Sequence, residues 1–307
     1  MTKAIAIVGP TAVGKTALSI QLAHHLNGEV ISGDSMQIYR HLDIGTAKIT
    51  PAEMEGVPHH LINIRDLNQR FSAAEFQKLA NEQIEQIKHK GHLPMIVGGT
   101  GFYLQTLTEN LALGADHFDE ESQRIRDYWH KIAEQNGSEY VWQQLQQKDP
   151  QAAAQIPTGN LRRIIRALEV IEKTGHLFSQ QTQTKTANDF LLIGLTTERS
   201  VLYERINQRV DLMIKNGLID EARWLYEQGG ENYQSGKGIG YRELFSYFKG
   251  ETTLDDAVAK IKQDSRHYAK RQLTWFRNKM NVQWYDLVSG RNTTNEIEAV
   301  VKNWLKN

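Results

Sequence analysis

AIAIVGPTAVGKTALSIQLA, residues 4–23, begins as a short apolar run and ends with the spacing of a helix. An apolar run of this length, closed by glycine, reads as a strand buried on both faces, the habit of parallel sheets. Leu18, Leu22 and Leu26 then fall on one face of a helix. Between the two stands Gly9-x-x-x-x-Gly14-Lys15-Thr16, the spacing of a phosphate-binding loop. Loop amides and the first helical turn aim N–H groups at an anion. Lys15 adds a point charge, and the Thr16 hydroxyl is placed to hold Mg²⁺. The expected cradle is Gly9, Pro10, Thr11, Ala12, Val13, Gly14, Lys15 and Thr16.

The same alternation continues outward. EVISGDS (29–35) and HHLINI (59–64) read as further strands, and LPMIVGGTG (93–101) as a strand entering a glycine turn. Residues 72–91 read as a helix, with Ser72 as N-cap, Glu75 completing a capping box and Gly91 past the end. FLLIGLT (190–196) is a later strand. Strands alternating with helices predict an α/β protein with a parallel sheet and flanking helices in three layers, of the P-loop NTPase-like kind. From 113 to 188 the chain turns polar, glutamine-rich and helical, with no strong strand. The division expected is a core of residues 1–112 and 189–307, with a helical C-terminal part, carrying an all-helical insertion at 113–188.

With 307 residues the chain can bury a substantial core. Lys and Arg number 36 and Asp and Glu 36, so any nucleic-acid surface must be a local cluster rather than a global excess. With no cysteine, disulfides, thiol catalysis and cysteine–zinc sites are excluded. The five apolar residues between Lys3 and Gly9 are too few for a signal-peptide core, and no segment reaches membrane-spanning length, so a cytoplasmic protein without membrane contact is expected.

A nucleotide-hydrolysing protein built on such a loop needs an acid at the end of an apolar strand. LPMIVGG ends in glycines and FLLIGLT in threonines. The best-placed carboxylate is Asp34, just after the second strand, at the sheet edge where an acceptor should sit. That favours group transfer, with Asp34 as general base, over hydrolysis; the alternative for Asp34 is an Asx-turn or an N-cap.

Around Asp34 the sequence reads ISGDSMQIYRHLDIGTAKIT, followed by GVPHHLINI, IVGGTGFYLQTL, NLRRIIRALEV, RINQRVDLMIKNGLIDEA, GIGYRELFSYFKGE and YAKRQLTWFRN. With GPTAVGKT before them, these stretches resemble, in order and over nearly the full length, the tRNA dimethylallyltransferases, the bacterial tRNA isopentenyltransferase family. The tail beyond about Val282 resembles nothing diagnostic.

The resemblance implies that the loop holds dimethylallyl diphosphate, whose diphosphate is a leaving group. The allyl unit passes to the exocyclic amine of the adenine immediately 3′ of the anticodon. It implies Mg²⁺ on Thr16, and catalytic roles for Asp34, Lys15, Thr100 and Arg209, with Arg209 on the diphosphate. From the residues alone, Arg209 reads as a solvated helix arginine and Thr100 as a helix N-cap. Asp34, Ser35, Met36 and Gln37 are implied to meet the tRNA, Gln37 reading a base edge, although Met36 reads as well as core packing. The insertion is implied to clamp the anticodon stem–loop through Thr158, Gly159, Asn160, Leu161, Arg162 and Arg166. Arg162, Arg163 and Arg166 have the spacing of one helix face. Lys270 and Arg271 belong to a cluster of six cations against Asp264 between Lys262 and Lys279, interleaved with Tyr268, Trp275 and Phe276. That mixture suits a splayed RNA loop, or a plain basic helix face. A monomer is expected. The rival reading of the whole is a P-loop small-molecule kinase, which needs neither the insertion nor the basic helix.

Overall fold

The computed structural model describes residues 2–111, 113, 119–180 and 188–307. In chain order the elements are β1 (Thr2–Val8), α1 (Lys15–Leu26), β2 (Gly28–Ser32), β3 (His59–His60), α2 (Ala73–His89), β4 (Leu93–Gly98) and α3 (Gly101–Thr108). There follow α4 (Glu120–Lys148), α5 (Pro150–Gln155), α6 (Leu161–Thr174), β5 (Asn188–Leu195), α7 (Arg199–Lys215) and α8 (Leu218–Glu227). The chain ends with α9 (Tyr241–Phe248), α10 (Leu254–Lys279), β6 (Gln283–Tyr285) and α11 (Thr294–Lys306).

The strands form one parallel sheet in the order β3-β2-β4-β1-β5-β6. β1 lies between β4 and β5, and Ala4 to Val8 are all fully buried. Each large aliphatic side chain removed from water in this way contributes roughly 1.5–3 kcal/mol. The register pairs Val8 with both Gly98 and Gly194, and Ser32 with Val97. Four carboxyl ends therefore stand level, and the loops that follow them open on one edge. Connections from β1 lead to one side of the sheet and connections from β4 to the other, which makes their shared edge the place for a ligand.

Two expectations about strands need correcting. HHLINI pairs with β2 only through His59 and His60, because Leu61 and Asn63 adopt left-handed φ of 60° and 56° and end the extended run. The C-terminal part is not wholly helical: β6 extends the sheet beside β5, and Ile297 and Val301 of α11 are buried in the main core. The Ser72–Glu75 capping box on α2 forms in both directions.

The chain divides into one compact unit of residues 1–108 and 186–307 and a second of 109–185. The expected joins abut residues 112, 114–118 and 181–187, which lie outside the described residues. The second unit is helical, with Trp129, Val141, Leu145, Ile164, Ile165 and Leu168 in its own core. Gly137, at φ 85°, kinks α4.

At the opposite edge of the sheet from the loops, Glu29 is buried with 1% exposure. His60 and His92 hydrogen-bond it at 2.6 and 2.5 Å, and Lys90 donates at 3.1 Å. Burial alone would raise this carboxyl, but the bonds from His60, His92 and Lys90 win and hold it at about 2. A depressed carboxylate contributes stability above its unfolded value of 4.5 and loses it as pH falls toward about 2. Glu29→Gln should therefore lower stability at pH 7 by about 3–5 kcal/mol, as breaking a buried pair does. The deficit in Tm should close as pH falls below about 4.5, and a constant deficit across a pH series would contradict this.

Candidate active site

The glycine loop takes the shape its sequence demands. Gly9 has φ 143°, and a Cβ there would lie 2.6 Å from the Leu195 carbonyl oxygen, so only glycine lets β1 turn beside β5. Gly14 precedes α1 at φ 102°, so the first α1 amides face the loop's interior. Lys15 folds back across the loop and donates to the Gly9 and Pro10 carbonyls at 3.0 and 2.7 Å. Burial and the neighbouring Arg209 push its ammonium down to about 7, and Asp34 opposes them.

Arg209 comes from α7 and reaches the Thr11 hydroxyl at 3.3 Å. It is no solvated helix arginine: burial lowers it from its ordinary value, while Asp34 and Glu53 pull the other way. The structure thus places Lys15, Arg209 and Asp34 within one another's electrostatic reach. All three line one cavity of about 1050 Å³, together with Thr11 to Thr16, Ser35, Met36, Gln37 and Glu53. That is at the upper end for small-molecule sites and leaves room for two reactants.

Asp34 forms the Asx-turn that its sequence allowed. Its Oδ1 accepts the Met36 N–H at 2.8 Å, an Asx-turn, while Oδ2 has no hydrogen bond among the described residues. One oxygen fixes the turn and the other carries no bond that holds it there. Thr100 does not cap α3 with its side chain. Its Oγ1 accepts the Ser35 N–H at 3.0 Å and lies 3.3 Å from Ser35 Oγ, bracing the Asp34 turn.

Other expected residues have different duties. Gln37 is engaged at both ends of its amide, accepting from the Ser32 hydroxyl at 3.0 Å and donating to the Ala47 carbonyl at 3.3 Å. It holds the 43–48 loop, and the expectation that it reads a base edge is not supported. Met36 lines the cavity and faces Gly238. In the helical unit Leu161 is half-buried, with its side chain packed against the apolar core rather than turned wholly to solvent. Arg166 pairs with the buried Glu169 at 2.8 Å, as Arg126 does, so it does not share the open face of Arg162 and Arg163. Asn160 caps α6 by accepting the Arg163 N–H at 3.3 Å yet stays exposed, as do Gly159 and Arg162; Thr158 is half-buried. Lys270 and Arg271 are exposed; Arg271 also lines the cavity and lies over the Tyr268 ring at 5.8 Å.

Gln272 and Glu221 were not foreseen from sequence, and Tyr268 was expected at an RNA face rather than in the cavity. Tyr268 and Gln272, one turn apart on α10, face the cavity rather than solvent. The Tyr268 phenol interacts with Thr100 and Gln272, and burial, then Asp34, push it up to about 12, so it stays protonated. Their i, i+4 spacing was the available signal. Glu221 of α8 accepts the amides of Asp43, Ile44 and Gly45 at 2.7, 2.8 and 2.8 Å and the Tyr241 hydroxyl at 2.7 Å. That fixes the loop on which Gln37 rests.

No helix among the described residues is long and apolar enough to cross a membrane. A family model described as IPP transferase matches residues 37–279. The tRNA dimethylallyltransferase of Limosilactobacillus fermentum is 66% identical over 306 residues, covering 100% of both chains. That of Enterococcus faecalis is 50% identical, covering 100% of this chain and 98% of its own. The full-length tRNA isopentenylpyrophosphate transferase of Bacillus halodurans superposes with a TM-score of 0.75 at 48% identity, over 100% of this chain and 97% of that one. A eukaryotic dimethylallyltransferase acting on tRNA gives 0.83 at 30% identity, over 100% and 80%.

Proposed function

This chain belongs to the IPP transferase family, and from that premise we propose that its cavity joins dimethylallyl diphosphate to the exocyclic amine of the adenine 3′ of a tRNA anticodon. The activity is prenyl transfer to tRNA, not the phosphoryl transfer of a small-molecule kinase. The observation that carries the reading is the convergence of Lys15, Arg209 and Asp34 on one cavity behind the glycine loop. Two cations and a ring of amides suit a diphosphate, and a carboxylate facing them suits a nucleophile that must lose a proton.

The adenine amine is a weak nucleophile because its lone pair is delocalised into the ring. As its nitrogen bonds to C1 of the donor, the C1–O bond breaks and its electron pair leaves on the diphosphate. Asp34 Oδ2 takes the amine proton, which general-base catalysis typically makes worth about 10²–10⁴-fold. Lys15, Arg209 and the loop amides stabilise the charge growing on the leaving oxygen. Thr100 braces the Asp34 turn through Ser35, and Tyr268 in turn contacts Thr100.

The Thr16 hydroxyl fits Mg²⁺. It stands on the first turn of α1, exposed and without a hydrogen bond of its own among the described residues. A hard cation that keeps several waters needs few protein ligands when phosphate oxygens are present. When bound, the ion would neutralise diphosphate charge.

A stacked adenine must be extruded to reach Asp34. We assign contact with the anticodon stem–loop to Asp34–Met36, to Thr158, Gly159, Asn160 and Arg162, and to Lys270 and Arg271. The protein acts in this reading as a cytoplasmic monomer. Replacing both Lys270 and Arg271 by Ala should weaken tRNA binding and lower its salt slope by about 2, roughly one for each phosphate no longer neutralised. An unchanged slope in a salt titration would move the RNA surface elsewhere. The function itself is tested by incubating the protein with labelled dimethylallyl diphosphate, Mg²⁺ and unmodified tRNA. Nucleoside analysis should find the label on one adenine; label transferred to none would refute the assignment.

A further inference from the structure

We propose that Gln272 is the positioning residue that locks the donor loop against the acceptor turn. The inference rests on the prenyl-transfer reading and adds to it the group that sets the distance between the two reactants.

Gln272 lies on α10, far along the chain from both loops, and is only 4% exposed. Its carboxamide is satisfied at both ends, each time by backbone of a different loop. Oε1 accepts the Thr11 N–H at 3.0 Å, and Nε2 donates to the Gly99 carbonyl at 2.9 Å. Thr11 belongs to the phosphate cradle, and its hydroxyl contacts Arg209. Gly99 precedes Thr100, whose hydroxyl holds Ser35 beside Asp34. One side chain therefore joins a donor-side chain, Thr11 to Arg209, to an acceptor-side chain, Gly99 to Thr100 to Ser35.

Two features show that the fold is built around this bridge. A Cβ on Gly99 would lie 2.1 Å from Gln272 Nε2, so the close approach requires glycine there. Only a neutral amide serves: a carboxylate would set an anionic oxygen against the Gly99 carbonyl and put negative charge beside the phosphate cradle. The bridge also takes the Thr11 amide, so the donor is left the amides beyond it.

A bond that sets reactant separation acts on turnover, since misplacement by about 1 Å can cost about 10²-fold. Gln272→Leu keeps the volume and removes both bonds. Gly99→Ala breaks the same bridge from the other side, at a position with no left-handed φ. Each should lower kcat by about 10–100-fold while KM for tRNA and for dimethylallyl diphosphate stays within about threefold. Phe276, grouped by sequence with the RNA-facing cations, is fully buried on α10 and outside the cavity, so it touches neither reactant and Phe276→Leu serves as the control. It should lower Tm but leave kcat near wild type. Unchanged kcat in either bridge variant that folds would overturn the proposal. So would a loss of kcat in Phe276→Leu that matches theirs at equal Tm. Wild-type transfer assayed alongside separates the two claims: if wild type transfers no prenyl group the functional reading fails, and if it transfers and the variants match it only the bridge fails.

Discussion

Asp34→Asn should lower single-turnover transfer by about 10²–10⁴-fold, the range of a lost general base, and leave tRNA affinity within about threefold. The asparagine isostere is the informative change because the proposal gives the carboxylate two separable jobs. Oδ1 accepts the Met36 N–H at 2.8 Å and holds the Asx-turn. An amide oxygen can do the same, so the turn survives while Oδ2 becomes an NH₂ that accepts no proton. Asp34→Ala removes both oxygens. It should match the asparagine variant in turnover but lose more RNA affinity, because Ser35 and Met36 are released with the turn. The donor supplies an internal control. The Asp34 charge opposes the crowding of Lys15 and Arg209, so removing it makes the cradle more positive. Donor KM should hold or fall. Near-normal turnover in Asp34→Asn would remove Asp34 as the base, and a large rise in donor KM would show a different kind of damage.

The parts of the site that were legible in sequence are those made by local backbone. The phosphate loop was readable because glycines at fixed offsets encode turns that other residues adopt only under strain, and Gly9 and Gly14 adopt them. Asp34 was readable because it follows a buried strand, and the parallel register places it at the same edge as the loop. What stayed hidden depends on tertiary approach. Gln272 and Tyr268 sit in a run of cations whose composition reads as an RNA-binding face, and composition does not say which stripe of α10 turns inward. Gln37 looked like a base reader because its partners, the Thr46 and Ala47 carbonyls, lie on a loop held by Glu221 of a distant helix. Arg166 looked equivalent to Arg162 on spacing alone, but the buried Glu169 lies on its side of α6. β6 escaped because three residues are too few to show alternation.

Lys15→Ala and Arg209→Ala are expected to lower kcat/KM for the donor by about 10²–10³-fold each, the cost of removing one group that stabilises a developing oxyanion. The geometry gives each cation a separate place. Lys15 is tethered to the Gly9 and Pro10 carbonyls, so its ammonium is fixed over the loop. Arg209 approaches from α7 and is steadied by the Thr11 hydroxyl. Burial, and then the proximity of Arg209, weaken the hold of Lys15 on its proton. Two cations gathered at such a cost make sense where a polyanion is the ligand. Because the proposal has both act on one leaving group, the double variant should lose less than the product of the single losses. Arg209→Lys keeps charge but gives up the planar fork, and it should recover only part of the loss. tRNA affinity should stay within about threefold in all of them, since neither cation belongs to the proposed RNA surface. Donor kinetics unchanged in both single variants would place the diphosphate elsewhere and take the prenyl donor out of the glycine loop.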